Sequence, residues 1–193
     1  MKKLLITCFE PFGGDDTNAS LEAVTRLPDT INDWKLTRLT VPVVFGECAV
    51  PVLTAIDSLR PDAVLLTGQA AGRKVVTPER YAHNLRFGRI PDNAGNAPMD
   101  VPVADGPDAL VSTINVRRLA AAIRESGVPA EVSLSAGAYV CNDLYYQVLL
   151  AANGKSRPLP VCFIHVPSLS DGYSFEELSI ALQAAVLALD DVT

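Results

Sequence analysis

Ala63-Val64-Leu65-Leu66 and Val161-Cys162-Phe163-Ile164 are two apolar runs, each followed by polar or turn-forming residues, Thr67-Gly68-Gln69 and His165-Val166-Pro167. Neither run alternates between apolar and polar side chains. A strand with one wet face would alternate, so these read as strands of a sheet covered on both sides, the usual state of a parallel sheet. Working outward, residues 3–8 form a third apolar run, ended by Pro11 and Gly13-Gly14. Asn18 or Ser20 is placed to cap a helix through Leu27, with Glu22 in its first turn, and Pro28 stops it. Residues 34–44 are rich in β-branched side chains and read as a strand. In residues 47–59 the apolar Val50, Leu53, Ile56 and Leu59 recur at helical spacing.

The second half continues the alternation. Residues 78–87 read as extended, 115–125 as a helix closed by Gly127 and Pro129, and 131–135 as a strand. Residues 139–152 then read as an apolar helix ending near Asn153-Gly154, 160–166 as a strand and 174–189 as an amphipathic helix. Residues 91–108 break the pattern with four prolines, two glycines, two asparagines and four aspartates in 18 residues, the composition of irregular structure. A loop of that length in a compact domain is usually functional or an interface element, here a lid or a subunit contact. Alternating strands and helices predict an α/β fold: a three-layer α/β/α sandwich with a largely parallel twisted sheet, in one domain over residues 1–193. In such sheets ligands gather at the carboxyl ends of the strands.

Composition narrows the chemistry. The chain has 193 residues, 49% apolar and 20% charged, with 16 basic and 22 acidic side chains for a net charge of −6. Disordered, coiled-coil and collagen-like chains are excluded, and an acidic chain without a Lys/Arg cluster is unsuited to nucleic acid. The apolar start, Met1-Lys2-Lys3-Leu4-Leu5-Ile6, ends at Glu10-Pro11 without a small-residue cleavage site, so it does not read as a signal peptide. No stretch approaches the ~20 apolar residues of a membrane helix. The cysteines Cys8, Cys48, Cys141 and Cys162 have neither C-x-x-C nor zinc spacing, and a cytoplasmic protein with reduced thiols is expected.

Any chemistry that needs an imidazole must use His83 or His165, the two histidines of the chain. Cys141 follows a predicted strand and begins a predicted helix, whose free N–H groups and partial positive charge favour a thiolate and can hold an oxyanion. Burial as a small core residue is the plainer reading of any one cysteine. His165 closes an apolar strand where α/β sites form, and suits a base toward a thiol. Glu79 is a candidate to orient a histidine, with Asp143 and Glu10 as alternatives; spacing does not choose among them, because such a triad is defined in space. Phe9-Glu10-Pro11-Phe12-Gly13-Gly14 offers two aromatic walls for a small pocket. As a phosphate loop it lacks both G-x-G-x-x-G and G-x-x-x-x-G-K-[ST] spacing.

Six segments together resemble the pyroglutamyl peptidase I (pyrrolidone-carboxylate peptidase) family of cysteine peptidases. They are Thr7-Cys8-Phe9-Glu10-Pro11-Phe12-Gly13-Gly14 with Asn18; Thr67-Gly68-Gln69-Ala70; Thr77-Pro78-Glu79-Arg80 with Asn84; Arg89-Ile90-Pro91-Asp92-Asn93; Ser135-Ala136-Gly137 through Val140-Cys141-Asn142; and Ile164-His165-Val166-Pro167. The resemblance implies an enzyme that removes N-terminal pyroglutamyl (5-oxoproline) residues from peptides, cytoplasmic, cofactor-free, without a metal, and commonly a homotetramer. It puts the nucleophile on Cys141, the base on His165, the orienting carboxylate on Glu79 and an arginine near the oxyanion on Arg89. Pocket aromatics fall on Phe9 and Phe12, and Gln69 lies in a pocket-edge segment. Cys8 departs from the family's usual glycine, with the prospect of an altered pocket or a second reactive thiol; Leu134 and Ala138-Tyr139 also depart. Two other readings compete: a phosphorylase-like nucleoside- or phosphate-binding protein, and a catalytically silent homologue.

Overall fold

A computed structural model describes residues 1–154 and 159–189. Its centre is a six-stranded sheet in the order β2-β3-β1-β4-β8-β5, where β1 is Lys2–Phe9, β2 Thr30–Ile31, β3 Trp34–Val41, β4 Ala63–Gln69, β5 Thr77–Glu79 and β8 Val161–Val166. The four central strands β3, β1, β4 and β8 run parallel, and the short edge strands β2 and β5 run antiparallel to their neighbours. β6 (Tyr81–His83) and β7 (Ala109–Val111) form a separate antiparallel pair.

Side-chain alternation divides the core in two. Leu4, Ile6 and Cys8 of β1 and Cys162, Ile164 and Val166 of β8 face α1 (Ala19–Thr25), α3 (Val116–Glu125) and α5 (Phe175–Leu187). Leu5 and Phe9 of β1 and Phe163 of β8 face α2 (Ala49–Leu59) and α4 (Val140–Asn153). Both sides are buried along β1, β4 and β8, which is why these strands carry apolar runs, whereas β3 alternates and exposes Lys35, Thr37 and Thr40. The three layers, and the largely parallel sheet, are as the sequence predicts.

Local chemistry sets the helix starts. Asn18 caps α1 by accepting from Ser20 N, Asn115 caps α3 by accepting from Arg117 N and Arg118 N, and Ser174 with Glu177 closes a capping box on α5. Predicted ends move by a few residues: β3 stops at Val41, α1 stops before Leu27, and β4 runs on to Gln69.

The strand expected over residues 131–135 is not a strand. The segment is extended and runs beside β5, with hydrogen bonds Val76 N to Pro129 O, Glu131 N to Val76 O, Ser133 N to Pro78 O and Arg80 N to Ser133 O. The missing rung is the one Pro78 would donate to Glu131, and proline has no N–H to give. Only isolated bridges at Ala130 and Ser133 remain.

Residues 91–108 are irregular, as their composition predicts, yet they are pinned to the rest of the protein. Asp92 accepts from Phe45 N, Ala94 N and Asn96 N, and Asn93 donates to Glu10 Oε1 and Pro11 O. Asn84 accepts from Val103 N and Ala104 N. Among the described residues no helix is long and apolar enough to cross a membrane.

Candidate active site

Parallel β1, β4 and β8 end on one edge of the sheet, and the loops beyond them meet the start of α4. In the pairing of β4 with β8, Gly68 stands opposite His165. In the antiparallel pairing of β5 with β8, Thr77 stands opposite His165 and Glu79 opposite Phe163. Opposed residues of an antiparallel pair share a face, so Glu79, Phe163 and His165 project together toward α4. His165 Nδ1 lies 2.8 Å from Glu79 Oε1, and both side chains are buried. A carboxylate only accepts, so Nδ1 carries the proton and Nε2 is left for another partner.

Cys141 lies in the first turn of α4. A methyl group built on Gly68 would come within 2.9 Å of Cys141 Sγ and within 2.9 Å of the Phe163 ring. The sulfur therefore rests on the bare backbone of β4, at the residue paired with His165. No side chain caps α4, and Asp143 N, bonded to Tyr139 O, is the first amide of its ladder. The amides of Val140, Cys141 and Asn142 precede that ladder, as at any helix start.

Burial dominates the electrostatics. It pushes the Cys141 thiol up to about 12, the Glu79 carboxylate adding to the shift and Arg73 opposing it. Burial also moves the His165 imidazole below its ordinary 6.5, with Glu79 pulling it back up. The resting pair is thus a neutral thiol and a neutral imidazole. Desolvation of the charge thus works against the thiolate that the helix terminus favours.

Beside Cys141 lies a small, partly open pocket walled by Phe9, Phe12, Val43, Tyr139 and Val140, with Asn18 and Gln69 among its polar residues. Gln69 Oε1 accepts from Ala19 N at 2.7 Å, which fixes the orientation of the amide and leaves Nε2 without a partner among the described residues. Phe12 and Tyr139 also line a wider open cleft with Arg89, His83, Leu85 and Phe87. Arg89 is exposed there and bonds to nothing among the described residues.

The remaining candidates fall elsewhere. Asp143 is buried against Arg86 Nε (2.9 Å) and Gly46 N (2.5 Å), and Glu10 accepts from Val43 N and Asn93. Neither is bonded to His165; Asp143 ties two loops to α4, and Glu10 ties two loops together just beyond the end of β1. His83 is held through its backbone by Asn142, which accepts from His83 N and donates to its carbonyl. Sequence reasoning missed Tyr139 and Val43 as pocket walls. It also missed Arg73, whose Nη1 lies 2.6 Å from Glu79 Oε1. An arginine six residues before a glutamate in a loop gives no signal of that contact.

Cys8 packs on the opposite face of the sheet from the pocket, among α1, α3 and α5, with Sγ 3.6 Å from Thr40 Oγ1. It neither shapes the pocket nor offers a reactive thiol, and burial raises its pKa. Of the four cysteines only Cys141 is not fully buried. Accordingly, Cys8→Ala is expected to cost about 1 kcal/mol of stability in a denaturant titration. The same variant should leave the rate of iodoacetamide labelling at Cys141 within twofold of the parent.

A cysteine in the first turn of α4, a histidine near the end of central strand β8 and a buried glutamate on edge strand β5 are the residue types that a cysteine-type peptidase uses. The pyroglutamyl peptidase family model matches residues 2–190. The chain is 49% identical over 170 residues to a pyrrolidone-carboxylate peptidase of Levilactobacillus brevis, covering 88% of this chain and 83% of that one. It is 43% identical over 192 residues to one from Streptococcus pyogenes, covering 99% and 87%. The crystal structure of Bacillus amyloliquefaciens pyroglutamyl peptidase I superposes with a TM-score of 0.93 at 34% identity, covering 97% of this chain and 96% of that one. The chain belongs to the pyroglutamyl peptidase family.

Proposed function

We propose that this protein hydrolyses the bond after an N-terminal pyroglutamyl residue, with Cys141 as nucleophile, His165 as base and acid, and Glu79 as orienter. The observation that carries the reading is the 2.8 Å contact of His165 Nδ1 with buried Glu79, at the strand position facing Gly68 and the Cys141 sulfur. Cys141 Sγ attacks the carbonyl carbon after the lactam ring while its proton passes to His165 Nε2. The oxyanion is held by the first-turn amides of α4, with Arg89 as a nearby cation. The C–N bond breaks as His165 hands its proton to the departing amine, leaving a thioester. Water adds to the thioester with His165 as base, releasing pyroglutamate and restoring the thiol.

The pocket suits the substrate. Its lining has no lysine or arginine, and a pyroglutamyl ring has no charged amine to neutralise. Phe9 and Phe12 cover the faces of the ring, and the unpaired Gln69 Nε2 is the donor for its lactam carbonyl. A prolyl residue lacks that carbonyl and would leave the amide unpaired, at a cost of about 1–3 kcal/mol. The same uncharged lining removes support from a phosphate- or nucleoside-binding reading, and Cys8 on the far face removes the motive for a silent homologue. The test is hydrolysis of a chromogenic pyroglutamyl amide against its prolyl counterpart. No turnover of the pyroglutamyl amide overturns the reading.

Gly68→Ala is a sharper probe of the geometry. The added methyl would lie 2.9 Å from both the Cys141 sulfur and the Phe163 ring, so both have to shift or the strand has to move. A misplacement of that size is expected to lower kcat by about 10²-fold. A homotetramer and a cytoplasmic location carry over from the family resemblance alone; light scattering at four chain masses tests the first.

A further inference from the structure

Three donors converge on one oxygen of Glu79. Oε1 lies 2.8 Å from His165 Nδ1, 2.6 Å from Arg73 Nη1 and 3.4 Å from Thr77 Oγ1, while Oε2 has no partner among the described residues. The carboxylate is fully buried, and Arg73 is the one permanent cation paired with it among the described residues. The same guanidinium bonds Thr77 Oγ1 and donates through Nη2 to Ser135 O at 3.0 Å, in the loop that leads into Cys141. One side chain thus joins β5, the carboxylate and the approach to the nucleophile.

We propose that Arg73 is a positioning residue of this site. Its guanidinium fixes the Glu79 carboxylate in place against His165 and ties it to the loop that leads into Cys141, so that the imidazole is aimed to take the Cys141 proton. The proposal rests on the roles of Cys141, His165 and Glu79 given above.

The electrostatic environment is simple enough to test. From β5 and the preceding loop, Glu79 and Arg73 face the imidazole. From α4 come the Cys141 thiol and the Tyr145 phenol, which donates to Glu79 O; both are held neutral by burial. β4 presents Gly68, and Cys162, a neutral thiol, lies on the other face of β8. The fixed charges are therefore one anion and one cation. Arg73 opposes a proton on the His165 imidazole, so removing the cation raises the affinity of the imidazole for that proton. The base is then lost at a higher pH.

The experiment compares the acid limb of kcat/KM for a pyroglutamyl amide in the parent, Arg73→Gln and Arg73→Lys. The limb is expected to move up by about one pH unit in R73Q, with kcat reduced roughly 10- to 100-fold. In R73K the limb should stay near the parental position. Equal limbs in all three proteins, or an R73K limb raised as far as that of R73Q, overturn the proposal: Arg73 would then be a structural strut only. Should R73Q fail to fold because it strands a buried carboxylate, Glu79→Gln is compared with the E79Q/R73Q double variant. The limb of the double variant must lie higher, and coincident limbs overturn the idea. The pH dependence of iodoacetamide labelling at Cys141, followed in the same proteins, needs no substrate. A parent that fails to cleave the amide sinks the proposed function. The Arg73 inference then stands or falls on whether the labelling profile shifts in R73Q and not in R73K.

Discussion

Cys141→Ala is expected to lower kcat/KM for a pyroglutamyl amide by at least about 10⁴-fold, the scale on which removing a nucleophile acts in a triad. The fold should survive. Cys141 sits at the edge of its pocket, not in the sealed core, and its loss removes one sulfur atom, worth about 1 kcal/mol. For a chain of this length that shifts the melting temperature by roughly 2–4 °C. Thermal unfolding and the amide assay on one preparation check both halves. Activity within tenfold of the parent would remove Cys141 from the reaction. With oxyanion donors in place but no nucleophile, the variant should still bind substrate, so inhibition of the parent enzyme by pyroglutamyl peptides and binding of those peptides to C141A should follow the same order.

His165→Gln is expected to cost at least about 10³-fold, and its pH dependence carries more information than its size. Burial holds the thiol far above its ordinary value, so near neutral pH very little of it is ionised without help. On the proposed mechanism, His165 of the parent removes that proton during attack. In H165Q hydroxide must do it, and the residual rate should climb about tenfold per pH unit above neutrality. Glutamine keeps an N–H donor for Glu79, so the buried carboxylate is not stranded. The parent should behave oppositely: its rate is flat near neutrality and falls as pH drops through the imidazole pKa, which burial sets below 6.5. His83→Ala is the control. His83 lines the open cleft and its backbone bonds to Asn142 do not need the ring, so activity should stay within about threefold. A loss in H83A with a retained rate in H165Q would assign the base to the wrong histidine.

The two apolar runs at residues 63–66 and 161–164 were enough to predict a covered, parallel sheet, because a strand buried on both faces has no position for a polar residue. Helix starts were legible for the same local reason. Asn18, Asn115 and Ser174 are side chains that satisfy free amides within three residues of themselves. The strand over residues 131–135 was misread because β-propensity does not report a missing donor on the partner strand. Pro78 lies more than fifty residues away in sequence, and only the pairing reveals that its absent N–H breaks the ladder.

The site divides along the same line. Residue types, their motifs and the resemblance named Cys141, His165 and Glu79, since such chemistry needs a thiol, an imidazole and a carboxylate and the chain offers few. Spacing left Glu79, Asp143 and Glu10 as equals. The contact at 2.8 Å arises from the antiparallel register of β5 on β8, a relation between segments 86 residues apart that no local pattern encodes. Cys8 shows the converse. Its sequence neighbour Phe9 faces the pocket, yet the period of two in a strand turns Cys8 to the other side. By itself, then, the sequence determined the layers, the approximate helix starts and the inventory of reactive groups, all of which depend on local spacing and composition. Tertiary structure alone decided which carboxylate meets the imidazole, that Arg73 joins it, and that thiol and imidazole rest neutral. Those outcomes depend on burial and on strand register, which exist only once distant segments have packed together.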